Sequence, residues 1–199
     1  VTAGALLLAT DAYHRDAAGL DAPPSVPVHY FQVATAPLAP EDRARLLPGG
    51  EGCWDTALVM SSFRVDAAGR LILGAIGQLD GPGGAFHGAW ARRKIARLFP
   101  WLTPPEIVHG WSGRIAMTGD HIPRVLQPAE GALAVFGYSG RGIGPGTVFG
   151  TAAANALLDG DVSGLPLSPV AGHAERATAL RAAWIEAGAT PTHALAARR

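Results

Sequence analysis

An unbroken apolar run, Ala132-Leu133-Ala134-Val135-Phe136-Gly137, passes directly into Tyr138-Ser139-Gly140-Arg141-Gly142-Ile143-Gly144-Pro145-Gly146-Thr147, and then into an apolar stretch over 148–158. A short apolar run ended by a turn signal reads as a buried strand, and the stretch after the bend reads as a helix. The chain must therefore place a buried strand, a glycine-rich bend and a helix in direct succession. Without side chains, the bend lets backbone N–H groups approach whatever lies beside it. The helix adds its unsatisfied N–H groups and the positive end of its dipole at the same point. Pro145 is expected at the first helical position, where its missing N–H costs nothing. This combination favours a ligand group with partial or full negative charge. A glycine-rich connection is also an ordinary structural turn, so the bend alone names no ligand.

Known phosphate cradles do not match it. A Walker A loop needs a lysine, and Lys94, the sole lysine, lies elsewhere; no Gly-x-Gly-x-x-Gly starts at Gly140 or Gly142. Arg141 reads either as a cation reinforcing the electropositive bend or as a surface arginine. The seven histidines show neither His-x-His nor His-Glu-x-x-His spacing, so no metal site is expected. Gly137-Tyr138-Ser139-Gly140 has the wrong spacing for a nucleophile elbow.

Around this feature the chain is compact and turn-rich. It has 199 residues, 48% of them hydrophobic, with 26 Gly and 16 Pro, enough for one to two domains. A formal net charge of zero argues against nucleic acid as a partner of the whole domain. Cys53 stands alone, which excludes an intramolecular disulfide and a cysteine zinc cluster and points to a reducing, cytoplasmic setting. No apolar run approaches the ~18–20 residues needed to span a bilayer.

Strands are expected over 4–10, 28–35, 107–118, 122–126 and 132–137. A hairpin is expected from 56–65 and 70–76 around Asp66-Ala67-Ala68-Gly69. The first strand is apolar enough to be fully buried, which calls for neighbours on both sides. Residues 21–27 read as a Pro/Asp loop and 41–52 as a short helix or loop. Helices are expected over 87–99 and 171–187, with a frayed tail after Gly188. Arg92, Arg93, Lys94 and Arg97 read as a solvated face of the first of these helices.

In order along the chain, several segments carry a resemblance. They are Leu7-Leu8-Ala9-Thr10-Asp11-Ala12-Tyr13, Ala34-Thr35-Ala36-Pro37-Leu38, and Phe63-Arg64 ahead of Gly69-Arg70-Leu71-Ile72-Leu73-Gly74. Trp111-Ser112-Gly113-Arg114-Ile115, Thr118-Gly119-Asp120-His121-Ile122-Pro123 and the bend at 137–146 complete the set. Together they resemble the C-terminal part of the FAD-dependent D-amino-acid oxidase superfamily, in the branch of glycine/sarcosine oxidases and gamma-glutamylputrescine oxidases.

The resemblance implies an α/β and α+β fold: the end of a Rossmann-like FAD-binding domain plus a mainly antiparallel substrate-binding sheet domain. By it, 1–27 is the last strand region of the FAD domain and 28–127 the substrate domain. Residues 128–162 return to the FAD domain, and 163–199 form a C-terminal helix and tail. The chain then begins after the family's Gly-x-Gly-x-x-Gly and has the look of a partial polypeptide. Ser139, Gly140, Arg141, Gly142, Ile143 and Gly144 become contacts of a non-covalent FAD, stabilising negative charge on the reduced flavin ring, with Thr10 near it. Tyr30, Trp54, Phe63, Arg64 and Trp111 line the substrate pocket.

The implied reaction moves a hydride equivalent from an amine-bearing carbon to flavin N5. The imine is then hydrolysed, and oxygen or another acceptor takes the electrons. Ile115 stands where amino-acid oxidases of the superfamily often place a carboxylate-clamping arginine, with Arg114 one residue earlier and so on the opposite face of a strand. Neither the cysteine that tethers flavin near Gly113 in sarcosine oxidases nor their lysine near Ile72 is present. An amine without a required α-carboxylate is therefore favoured as substrate. Two other readings stay open: a scaffold with a lost flavin site, and an FAD-linked domain acting on tRNA.

Overall fold

The computed structural model describes residues 2–14 and 24–196; part of the Pro/Asp loop expected at 21–27 lies outside them. Two compact units form, each from two stretches of chain. The first comprises Val1–Pro27 with Arg114–Ala182, and the second Val28–Gly113 with Ala183–Arg199. Among the described residues no helix is long and apolar enough to cross a membrane.

The first unit is built on a three-stranded sheet. Its strands are β1 (Leu6–Leu8), β7 (Arg124–Ala129) and β8 (Ala132–Phe136), in the order β1-β8-β7. β1 runs parallel to β8, and β7 antiparallel to it. All five residues of β8 are buried because the sheet is covered on both sides. On one side Val125, Leu133 and Val135 pack against Phe149, Ala153 and Ala156 of the helix α3 (Ile143–Asp159). On the other, Leu8, Leu126, Ala134 and Phe136 form a second cluster. An unalternating apolar strand is what burial of both faces requires. β1 pairs with β8 alone among the described strands and is only partly buried, so the neighbours expected on both of its sides are not found.

The second unit carries a five-stranded sheet. β2 (Val26–Pro37), β3 (Cys53–Trp54), β4 (Ser61–Val65), β5 (Arg70–Ile76) and β6 (Ile107–Met117) lie in the order β3-β4-β5-β2-β6. The pairs β3/β4, β4/β5 and β5/β2 are antiparallel. The expected hairpin forms as β4–β5. Its turn is closed by the Asp66 carboxylate accepting from the Arg70 N–H at 2.9 Å, and Gly69 supplies φ +80°; residues 56–60 stay outside the strand. One sheet face buries Phe31, Val33, Leu71, Leu73 and Ala75 against Trp90, Ala91 and Ile95 of α2 (Gly84–Leu98). A short helix, α1 (Pro40–Arg45), follows β2.

Three expectations change at the level of elements. α3 begins at Ile143, so Ile143, Gly144 and Pro145 belong to its first turn and Pro145 is its third residue, not its first. The last helix, α4, spans Thr178–Leu195, with Ala189 and His193 buried, so the region after Gly188 is helical and packed instead of frayed. The basic face of α2 is only half solvated. Lys94 pairs with Asp55 at 2.7 Å and Arg93 donates to the His193 carbonyl at 2.7 Å, while Arg92 and Arg97 remain exposed.

Candidate active site

β8 ends at Phe136, and the chain leaves the sheet through Gly137. This glycine has φ +81°, and a Cβ there would lie 2.6 Å from Thr118 Cγ2, so both backbone and space demand glycine. Its N–H donates to Asp11 Oδ1 at 2.9 Å. Ser139 follows with φ +52° and is fixed from several directions. Its N–H donates to the Ala116 carbonyl at 3.1 Å, and its hydroxyl donates to the Gly137 carbonyl at 3.2 Å and accepts from the Thr118 N–H at 3.3 Å. Gly140 has φ +85°, and a Cβ there would touch Ile115 Cδ1 at 3.5 Å. Ser139, Gly140, Arg141, Gly142, Ile143 and Gly144 thus form one continuous bend at the start of α3. Gly140, Arg141, Ile143 and Gly144 are exposed and Gly142 is partly so.

The first turn of α3 has no side-chain cap and no acidic residue. The Gly146 N–H already bonds the Gly142 carbonyl at 2.8 Å, which leaves the amides of Ile143 and Gly144 as the turn's uncapped donors. Two glycines here have no neighbour with which an added Cβ would clash. Gly142 has an ordinary φ of −76°, and a Cβ would meet only Tyr138, at 3.7 Å. Gly144 is helical, and a Cβ would meet nothing within 4 Å. Glycine inside a helix costs about 0.5–1 kcal/mol relative to alanine. Gly144 accepts that cost, whereas Gly142 is the N-cap, a position that glycine suits; both leave open space in front of polarised amides. The residues present therefore fit an electron-rich group at this helix end.

Thr10 lies exposed at the end of β1, its hydroxyl 3.0 Å from His14 Nδ1. The adjoining turn, Asp11–Tyr13, holds β6 through Tyr13, whose hydroxyl accepts from the Arg114 N–H at 2.7 Å. The Arg114 guanidinium sits over the Tyr13 ring, 4.9 Å from its centroid. Ile115, not Arg114, is the residue beside the bend. Burial pushes the Tyr138 hydroxyl above its ordinary pKa, and the nearby Asp11 charge adds to this.

A second group of expected residues lies in the other unit. Trp54, Ser62 and Gly74 are paired laterally with each other and with Gln32, so they share one sheet face, joined by Arg64 and Tyr30 two residues along their strands. Gly74 leaves room for the Tyr30 ring, since a Cβ would lie 2.7 Å from Tyr30 Cε1. The Tyr30 hydroxyl meets Ser62 Oγ at 2.8 Å, and burial raises its pKa. Trp54 is 70% exposed and Arg64 is exposed. Gln32 Oε1 is buried without a hydrogen-bond partner. Phe63 does not belong with them. It sits on the opposite face, packs on the core, and meets Phe99 edge-on at 5.5 Å between ring centroids. The parity of its register removes it from any pocket on the Tyr30 face. Trp111 stays 44% exposed on β6.

Asp11 and Thr118 beside the bend, and separately Ser62 and Gln32 on the Tyr30 face, are neighbours that reading by residue type missed. Thr118 had a signal as the first residue of the Thr118-x-Asp120 turn, and Asp11 as part of the Leu7–Tyr13 segment; Ser62 and Gln32 depend on register. A groove of about 550 Å³ runs along α3, lined by Thr147, Val148, Thr151, Asn155 and Asp159 among others, and none of the bend residues 139–144 faces it. No group of three or more potential metal ligands occurs among the described residues.

A family model described as FAD dependent oxidoreductase matches residues 1–156. The chain is 30% identical over 143 residues to a probable oxidoreductase OrdL of Rhizobium meliloti (strain 1021), covering 72% of this chain and 33% of that protein. It is 29% identical over 136 residues to a probable oxidoreductase OrdL of Haemophilus influenzae, covering 68% of this chain and 31% of that one. The chain thus spans a minor part of the length of the curated relatives it matches. Among solved structures it is similar to an L-proline dehydrogenase from P. horikoshii, with TM-score 0.54, 20% identity, and coverage of 81% of this chain and 44% of that one. It is also similar to a glycine oxidase from Geobacillus kaustophilus, with TM-score 0.57, 22% identity, and coverage of 86% and 45%. At these identities the likeness is one of fold.

Proposed function

The chain belongs to the FAD dependent oxidoreductase family, and from that premise we propose that it takes part in flavin-dependent oxidation of a carbon–nitrogen bond in an amine or amino acid. The observation that carries this reading is the open glycine pair, Gly142 and Gly144, in front of uncapped amides at the start of α3. When bound, the flavin supplies the electron sink. The chain's own part is to place N–H donors and a helix end where negative charge collects, an arrangement that needs no reorganisation during reaction. Ser139, Gly140, Arg141, Gly142, Ile143 and Gly144 are the proposed contacts, with Thr10 near them. Non-covalent binding is the reading adopted, since the segment 111–115 carries no cysteine. The unit of 1–27 and 114–182 is read as the flavin-binding part, and the antiparallel sheet of the other unit as the substrate part.

On the substrate side, the exposed guanidinium of Arg64, the Trp54 ring and the Tyr30–Ser62 hydroxyl pair offer one charged, one aromatic and one hydrogen-bonding element on a single sheet face. Ile115 brings an apolar side chain to the bend, and Arg114 is engaged over Tyr13. This favours an amine whose α-carboxylate, if it has one, is not clamped by an arginine at that register.

The test is Gly142→Val in the FAD-loaded protein. Only an ordinary contact with Tyr138 awaits the new Cβ, so folding is expected to survive while the flavin's visible absorbance is lost or its rate of reduction by amines falls at least tenfold. A variant that keeps bound flavin and reduces it at the normal rate rejects the proposed contact.

A further inference from the structure

The bend depends on a residue that lies 126 positions upstream of its first glycine. Asp11 occupies φ +44°, in the left-handed region. Non-glycine residues rarely sit there, and Asp or Asn do so mainly when their short polar side chains bond locally. The Asp11 carboxylate uses that conformation to accept the Gly137 N–H at 2.9 Å. Gly137 is buried and is the residue at which the chain turns out of β8. An unpaired amide there would be costly. The turn carrying Asp11 is itself held, by Tyr13 N–H to the Thr10 carbonyl at 2.9 Å and by Tyr13 Oη to Arg114. The strain at Asp11 is therefore matched by a specific contact at the root of the bend.

We propose that Asp11 is a positioning residue: its carboxylate fixes the Gly137 peptide plane and through it the direction in which Ser139 to Gly144 approach their ligand. The functional consequence rests on the flavin reading above, whereas the anchoring itself does not.

Two substitutions separate the carboxylate from the backbone. Asp11→Gly keeps the left-handed turn without strain and removes only the side chain. Asp11→Asn keeps both the turn and an oxygen acceptor. In the chain without flavin, hydrogen exchange followed by NMR should show the Gly137 amide losing more than about tenfold in protection in Asp11→Gly, the scale of a lost bond to a charged acceptor. The 138–144 amide shifts should move with it, and Asp11→Asn should restore both. In the FAD-loaded protein, Asp11→Gly should weaken flavin binding and alter its visible spectrum, again with rescue by Asn. Unchanged Gly137 protection in Asp11→Gly, or failure of Asn to rescue, overturns the proposal. Altered protection with wild-type flavin affinity upholds the anchor and overturns the flavin reading on which its function rests.

Discussion

Two carboxylates show how differently the same side chain serves this protein. Asp11 is spent on a backbone amide, whereas Asp55 is a hub. Burial pushes the Asp55 pKa up, but bonds from Lys94 and from the Ser61 hydroxyl and N–H outweigh this and bring it down to about 2. A depressed carboxylate stabilises the fold above its unfolded pKa of 3.8 and loses that contribution as pH falls towards 2. Asp55→Asn is thus expected to lower stability at pH 7 and to flatten the acid limb between pH 4 and 2, measured by urea midpoints across that range. Parallel acid limbs in the two proteins would contradict this. Arg64 is the residue-scale test of the substrate face. It is exposed, so Arg64→Ala should leave stability within about 0.5 kcal/mol while raising the apparent KM for an anionic amine substrate. An unchanged KM removes Arg64 from the pocket. Neither Asp55 nor Asp11 was legible by residue type, because an Asp in a loop looks the same whether it meets solvent, a lysine or an amide.

At the scale of elements, the periodic and punctuated segments were legible and the long-range ones were not. Asp66 and Gly69 announce the β4–β5 hairpin through local turn chemistry, and the apolar run at 132–136 announces β8. α4 was misjudged because its stability comes from elsewhere. Pro191 lies inside it and removes one helical bond, at a cost of about 3 kcal/mol in an unsupported helix. Packing from α2 compensates. The His193 ring stacks on Trp90 at 4.0 Å, its Nδ1 lies 2.8 Å from His87 Nδ1, and Arg93 holds its carbonyl. His87 Nε2 in turn meets Glu186 at 2.8 Å. Burial lowers the His193 pKa to about 4, and the charges of His87, Arg93 and Lys94 reinforce the shift. A histidine depressed from 6.5 supports the fold fully above pH 6.5 and progressively less as pH falls to 4. Between pH 7 and pH 5 that contribution should therefore fall. His193→Phe, which keeps a ring on Trp90, should be less stable at pH 7 but lose less on going to pH 5. Identical pH dependence would show that His193 does not carry the effect.

Considered as a whole molecule, the chain makes two compact units that each combine distant stretches of sequence. No local pattern specifies which stretches come together, and the ordered motifs were informative here only through their resemblance to a family, whose model indeed matches 1–156. The candidate site was legible as far as the glycine bend and the residues that share the Tyr30 face. Phe63 was lost to strand parity, and the supports of the bend were invisible because they lie over a hundred residues from it. Gly144, in the first turn of α3 with nothing within 4 Å of an added Cβ, is the position at which a flavin contact and a plain structural turn predict different outcomes.

That contrast gives the most direct measurement: thermal stability and FAD affinity of Gly144→Ala, determined together on the FAD-binding protein. The fold alone should gain, by about 0.5–1 kcal/mol and so about 2 °C in Tm in the absence of flavin. FAD affinity should fall at the same time, because the added methyl fills the space before the Ile143 and Gly144 amides. A variant that is more stable and binds FAD as tightly as the wild type would contradict the account at its centre.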